Sequence, residues 1–126
     1  MEKLCKQKIN VVLVALEDKL MAESFEYFTK TFPNVQFRRV GVDLSQGDYL
    51  TTISKATEDI DVTLVFNNAG FITTGFFFDI SLQRNLQNYE CNATSALKIT
   101  HLFLGRMIEK GQKGLFAFTS SSAGAL

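Results

Sequence analysis

The sequence predicts an α/β fold built on a parallel sheet. Two observations carry this. Short apolar runs rich in Val, Leu and Phe alternate with segments of helical periodicity, in the order β-α-β-α-β-α-β. Small or polar residues follow every apolar run: Glu17-Asp18, Asp43, Asn67-Asn68-Ala69-Gly70 and a run of three serines. In an open parallel sheet, ligands bind beyond the carboxyl ends of the strands, so polar groups gathered there suggest a site.

The elements follow in order. Ile9 to Leu16 is a continuous apolar run, as expected for a strand covered on both faces. From Glu17 to Thr31 the period changes. Leu20, Met21, Phe25, Phe28 and then Phe32 recur at helical spacing, with Glu17 and Asp18 at the favourable N-terminal end, and Pro33-Asn34 punctuates the exit. Val35 to Val42 reads as the next strand. Ser45 is the expected cap of a helix over residues 47–59, with Leu50, Ile53 and Ala56 on one face. Asp61 to Phe66 is the third strand, and a loop through Phe71 to Ile80 follows it. A long helix over residues 82–110 has Leu82, Leu86, Tyr89, Ala93, Ala96, Leu97, Phe103 and Met107 on its apolar face, and Gly111 ends it. Gly114 to Thr119 is the fourth strand, with Ser120-Ser121-Ser122-Ala123-Gly124 beyond it. Strands joined by helices run parallel, with right-handed crossovers. Residues 1–8 read as the last turns of a helix or as a frayed end.

A chain of 126 residues suits a single domain over residues 1–126. Thirteen basic and thirteen acidic residues cancel, leaving no field to draw in nucleic acid. The longest apolar run, Val11 to Leu16, is far short of the ~20 residues of a transmembrane helix, and no signal-peptide core precedes it. The expectation is a cytoplasmic protein without a transmembrane segment. Cys5 and Cys91 match no metal or redox spacing, so reduced thiols and no metal site are expected. Asn92-Ala93-Thr94 fits a glycosylation sequon, which reads as coincidence without an export signal.

Three stretches in sequence carry a family resemblance: Val-Phe-Asn-Asn-Ala-Gly (65–70), Cys-Asn-Ala-Thr-Ser-Ala-Leu (91–97) and Gly-Leu-Phe-Ala-Phe-Thr-Ser-Ser-Ser-Ala-Gly (114–124). With Asn-Val-Val-Leu-Val-Ala (10–15) and Val-Asp-Leu-Ser (42–45), they resemble the short-chain dehydrogenase/reductase family over nearly the whole chain. The resemblance implies a Rossmann-like three-layer α/β/α fold with a parallel sheet, here incomplete and comprising the family's strands 2 to 5. It implies an NAD(P)-dependent oxidoreductase acting on a small-molecule carbonyl or alcohol substrate.

Roles follow position by position as implications of that resemblance. Asp43 matches the acidic residue that meets the adenine amine, with Leu44 beside it. Asn67, Asn68, Ala69 and Gly70 match the turn that lies along the cofactor. Ala69 and Gly70 also have a direct reason, since little side chain lets backbone approach a ligand closely. Asn92 matches the helical asparagine that bends its helix and holds a water of the proton relay. Ser121 matches the serine that hydrogen-bonds the substrate. Each residue has a plainer reading: Asp43 capping a turn, Asn67-Asn68 an ordinary turn, Asn92 a solvated helix residue, the serines a polar loop. The set in order favours the family reading.

Cofactor preference stays open. Ala15 stands where an acid would favour NAD, and the lack of that acid tilts slightly to NADP, while Glu17 and Asp18 tilt back. Phe71, Ile72 and Phe76-Phe77-Phe78 read first as packing residues and second as a wall for an apolar substrate, such as a steroid or fatty-acyl group. His101 reads as a helix-surface or subunit-contact residue. In the family the long helix commonly pairs with its copy, so a homo-oligomer through residues 82–110 is expected.

Two departures matter. No G-x-x-x-G-x-G loop precedes Ile9, and no Tyr has a Lys four residues later: Tyr27 leads to Thr31, Tyr49 to Ile53 and Tyr89 to Ala93. In the family, the absent first strand lies between the second and the fourth. The chain therefore reads as an ordered piece of a longer polypeptide, or alternatively as a catalytically dead remnant acting as a binding or oligomerisation module. Without the Tyr there is no general acid for the developing alkoxide, and without the Lys nothing lowers that acid's pKa. The 126 residues alone are predicted to show no measurable carbonyl reduction or alcohol oxidation; steady NAD(P)H oxidation by a homogeneous sample would contradict this.

Overall fold

The fold is taken from a computed structural model that describes residues 1–121; Ser122, Ala123 and Gly124 of the serine segment lie outside the described residues. The chain divides into two compact units, Met1–Asp43 and a second beginning at Leu44.

The first unit contains α1 (Glu2–Lys6), β1 (Val11–Ala15), α2 (Lys19–Thr31) and β2 (Phe37–Gly41). β1 and β2 pair in parallel, from Val11 opposite Phe37 to Ala15 opposite Gly41. The Val42 N–H extends the ladder by donating to the Ala15 carbonyl at 2.8 Å. α2 starts where Asp18 accepts the Met21 N–H at 2.8 Å, satisfying one of the orphan donors of a helix start. The helix buries Met21, and Phe28 meets Phe37 of β2 with ring centroids 6.2 Å apart. β1 is half-buried along most of its length, not covered on both faces as its Val-rich run suggests. Leu20, expected on the apolar face of α2, is 71% exposed.

The second unit contains α3 (Tyr49–Ala56), β3 (Leu64–Asn67), α4 (Leu82–Tyr89), a π-helical turn (Glu90–Thr94), α5 (Ser95–Glu109) and β4 (Leu115–Phe118). β3 and β4 pair in parallel, from Leu64 opposite Leu115 to Asn67 opposite Phe118. Helices join the two strands of each parallel pair in the predicted order, and the fold is an incomplete Rossmann-like α/β fold. Its strands form two parallel pairs rather than one sheet. That is the pairing implied when the strand between the family's second and fourth is not among the four present.

Three expectations change. The cap of α3 is Asp48, which accepts the Thr51 N–H at 3.3 Å, and not Ser45. Gly47, with φ +75°, cannot belong to the helix, so the helix begins after it. The long helix is not α-helical throughout, because the π turn interrupts it. Its buried face is also partly different: Phe103 and Met107 turn inward as expected, but with Cys91, Ser95 and Ile99, each four residues from the last. Leu82, Leu86, Tyr89 and Leu97 are exposed. Gly111 does end α5. It has φ +62°, its N–H donates to the Ile108 carbonyl, and the Gln112 N–H donates to the Met107 carbonyl, the paired bonds of a Schellman cap.

Arg106 ties α5 to the end of α3. Its Nη1 donates to the Thr57 carbonyl and Oγ1 at 3.2 and 2.9 Å, and its Nη2 donates to the Ser54 carbonyl and Oγ at 2.8 and 2.7 Å. A planar fork thus satisfies carbonyls at a helix C-terminus, where positive charge is favoured. Thr57 is buried. Arg106→Ala is expected to destabilise the fold by about 2–3 kcal/mol in denaturant unfolding, with Arg106→Lys recovering less than half of the loss.

Candidate functional site

The carboxyl ends of β3 and β4 lie at one edge of their parallel pair, and the residues just beyond them are tied together. The Thr119 N–H donates to the Asn67 carbonyl at 2.9 Å, carrying the ladder past β4. The Asn67 side chain donates to Thr100 Oγ1 of α5 at 3.1 Å. Thr119 Oγ1 donates to the Asn68 side-chain oxygen at 2.7 Å. Asn68, Ala69 and Gly70 are exposed. They present backbone with little side chain beyond the strand end.

The next residue is held from the helix. The Phe71 N–H donates to Asn92 Oδ1 at 2.9 Å, and Asn92 Nδ2 donates to the Phe71 carbonyl at 2.8 Å. One amide side chain therefore satisfies both polar groups of one backbone residue. Asn88, one turn earlier, donates to the same carbonyl at 2.6 Å. Gly70 makes room: a Cβ there would lie 3.1 Å from Asn92 Oδ1, tighter than ordinary contact. Arg84 stacks over the Phe71 ring, 4.2 Å from its centroid.

Asn92 stands inside the π turn. The Ser95 N–H reaches back five residues to the Glu90 carbonyl, and buried Ser95 Oγ donates to the Cys91 carbonyl at 2.7 Å. The Glu90 carboxylate accepts from the hydroxyl of buried Tyr49 on α3 and from Lys98 Nζ of α5, the latter at 2.6 Å. Lys98 Nζ also lies 5.4 Å from the Tyr49 ring centroid. Burial, then the Glu90 hydrogen bond and charge, push the Tyr49 phenol up to about 12. Burial acts to raise the Glu90 carboxyl, but the hydrogen bonds from Lys98 and Tyr49 outweigh it and hold the group below its ordinary 4.5. The Glu90 hydrogen bond raises Lys98.

The structure therefore brings Asn67, Asn68, Gly70 and Asn92 together through Phe71, Thr100 and Thr119. Ser121 is exposed, two residues past Thr119 on the segment that leaves β4. Asp43 is half-buried just beyond β2 and closes the first unit, and buried Leu44 opens the second. Sequence reasoning missed Asn88, Thr100 and Thr119. The four-residue spacing of Asn88 and Asn92 was a usable signal for the first; nothing local marks the two threonines. Among the described residues no group of three or more His, Cys, Asp or Glu could hold a metal ion, and no helix is long and apolar enough to cross a membrane.

A parallel β/α unit with a bare Asn-Asn-Ala-Gly turn beyond one strand and serines beyond the next has the character of a Rossmann-like domain with its ligand site at the strand ends. The sequence pattern of the short chain dehydrogenase family matches residues 1–126, and the chain belongs to that family. It is 27% identical to the very-long-chain 3-oxoacyl-CoA reductase of Rattus norvegicus over 129 residues, covering 99% of this chain and 41% of that protein. It is 31% identical to the 17-beta-hydroxysteroid dehydrogenase type 3 of Mus musculus over 125 residues, covering 95% of this chain and 39% of that protein. A solved structure of a 7β-hydroxysteroid dehydrogenase superposes with a TM-score of 0.89 at 22% identity, over 98% of this chain and 48% of that one. The chain thus spans less than half the length of these relatives.

Lowering of the Glu90 pKa has a stability consequence with a definite sign. A carboxylate whose folded pKa lies below its unfolded value stabilises the fold above the unfolded value, and that contribution is lost as pH falls through the folded value. Glu90→Gln is therefore expected to destabilise the protein at neutral pH, and the difference from the parent should close on acidification below the ordinary carboxylate range. Denaturant midpoints across that range check it; a gap that persists in acid contradicts it.

Proposed function

We propose that the protein carrying this chain is an NAD(P)-dependent oxidoreductase of the short-chain dehydrogenase/reductase type, acting on a carbonyl or alcohol substrate. The observation that carries this reading is the Asn92–Phe71 pair, which fastens the π turn to the segment leaving Asn67-Asn68-Ala69-Gly70. Exposed backbone over Asn68 to Gly70 fits a dinucleotide that must approach closely. A dinucleotide held by these residues would supply or accept hydride through its nicotinamide. In this reading Asn67 to Gly70 lie along the cofactor, Asp43 and Leu44 hold its adenine, Asn92 orients a water of the proton path, and Ser121 donates a hydrogen bond to the substrate oxygen.

For the cofactor, NADP is favoured. Asp18 is engaged as the α2 cap, and Glu17 pairs with Arg39 at 3.5 Å, so neither carboxylate is left to take ribose hydroxyls. An apolar substrate suits the exposed Phe76, Phe77 and Phe78, of which the first and third stack with centroids 5.6 Å apart. The relatives named for long-chain acyl and hydroxysteroid substrates point the same way. The exposed stripe of Leu82, Leu86, Tyr89 and Leu97 suits a second copy of the chain. That stripe also supports the alternative, an inactive binding or oligomerisation module.

The complete natural polypeptide, assayed with NADPH and NADH against lipid-like ketones, tests the proposal. Turnover is expected, faster with NADPH, and Ser121→Ala should lower kcat by about 100-fold or more. No turnover with either cofactor, in a sample that still self-associates, favours the inactive module.

A further inference from the structure

Glu90 has no place in the family-derived roles, yet it joins three elements at the turn that carries Asn92. We infer that Glu90 is a positioning residue: bridged to Tyr49 and Lys98, it fixes the register of the π turn and so aims the Asn92 amide at Phe71. The kinetic part of this inference rests on the oxidoreductase reading, whereas the structural part does not.

The geometry supports it from three sides. A π turn inserts one residue into a helix, and one residue is about 100° of rotation. Reversion to an α-helical register would therefore swing Asn88 and Asn92 away from Phe71 relative to the buried face of α5. Burial alone does not forbid this. Within the turn only Cys91 is buried, and Asn92 and Ala93 are exposed. The restraint lies in the polar bridge. Lys98 is eight residues beyond Glu90, about 12 Å along an ideal helix, so their 2.6 Å ion pair straps the whole turn lengthwise. Tyr49, 4% exposed on α3, holds the same carboxylate from the side and anchors it to another element. On its other side the turn delivers Asn92 Oδ1 and Nδ2 to the Phe71 backbone. Strap and clamp share one five-residue turn, and loosening one releases the other.

The complete natural polypeptide is the test material, with amide hydrogen exchange at Phe71 and steady-state kinetics as readouts. Glu90→Ala is expected to speed Phe71 exchange about tenfold by loosening its bond to Asn92. It is also expected to lower kcat about tenfold while the KM for NADPH stays within about two-fold. Glu90→Gln, which keeps an acceptor oxygen for Tyr49 and Lys98, should restore most of both. Arg106→Ala serves as the stability control: it lowers the melting temperature but should leave both readouts in place well below that temperature. If Glu90→Ala does not fold, Lys98→Met cuts the same strap from outside the turn and is read identically. Parent-like exchange at Phe71 in the strap variant, or an equal change in Arg106→Ala, overturns the inference. A parent without turnover whose Phe71 exchange still responds only to the strap variants refutes the oxidoreductase reading and leaves the positioning role standing.

Discussion

Both backbone polar groups of Phe71 are satisfied by one side-chain amide, that of Asn92, and the segment from β3 to α4 is organised around that pair. Residues 68–81 form no strand or helix. Backbone N–H and C=O groups without ladder partners must find others, and a carboxamide matches an extended residue with one donor and one acceptor. An aspartate at position 92 would supply only the acceptor half of that match. Gly70 must be small for the amide to approach, and the helix must be in the right register for the amide to arrive. Ser95 helps by donating its hydroxyl to the Cys91 carbonyl inside the turn. The constraint thus propagates from one side chain to a glycine, a loop and a helical irregularity.

The order of elements was fully legible in the sequence because periodicity reports which face of a segment is apolar. The Schellman end at Gly111 was legible too, since a glycine after the last helical turn is a local signal. The π turn was not. Periodicity over residues 82–110 fits a continuous helix, and only the resemblance at Asn92 hinted at a bend. The Ser45 cap failed because the competing Asp48 sits just after a glycine whose positive φ closes the helix to earlier residues. The buried face of the long helix was legible at Phe103 and Met107 but not at Leu82, Leu86, Tyr89 and Leu97. Leu, Tyr and Ala positions make one apolar stripe and Cys, Ile, Phe and Met positions make another, and hydrophobicity alone does not say which turns inward. Partners distant in sequence, such as Thr100 for Asn67 and Arg106 for Ser54, leave no local trace at all.

The strand pairing connects these failures. With strands in two parallel pairs, each sheet offers less surface than a continuous one, and a Val-rich run such as β1 ends half-buried. Phe66 and Phe118, near the end of the β3–β4 ladder, are each more than half exposed. Parallel sheets are ordinarily buried on both faces. The apolar sequence of these strands therefore records the requirement of a complete sheet, and their exposure records how much of that sheet the four strands make.

Two adjacent carboxylates show why residue type and position fall short of chemistry. Glu17 and Asp18 both follow β1, and by sequence either could meet a ligand there. Asp18 instead accepts the Met21 N–H and starts α2. Glu17 pairs with Arg39 and lies against Gly41, where a Cβ would overlap the Glu17 side chain. Arg39 is also 5.6 Å from the Phe25 ring centroid, so the pair is seated on α2 as well as on β2. A glycine at the end of β2 is thus a requirement of the Glu17 side chain, and the charge that the sequence places at a strand end is already partnered within its own unit.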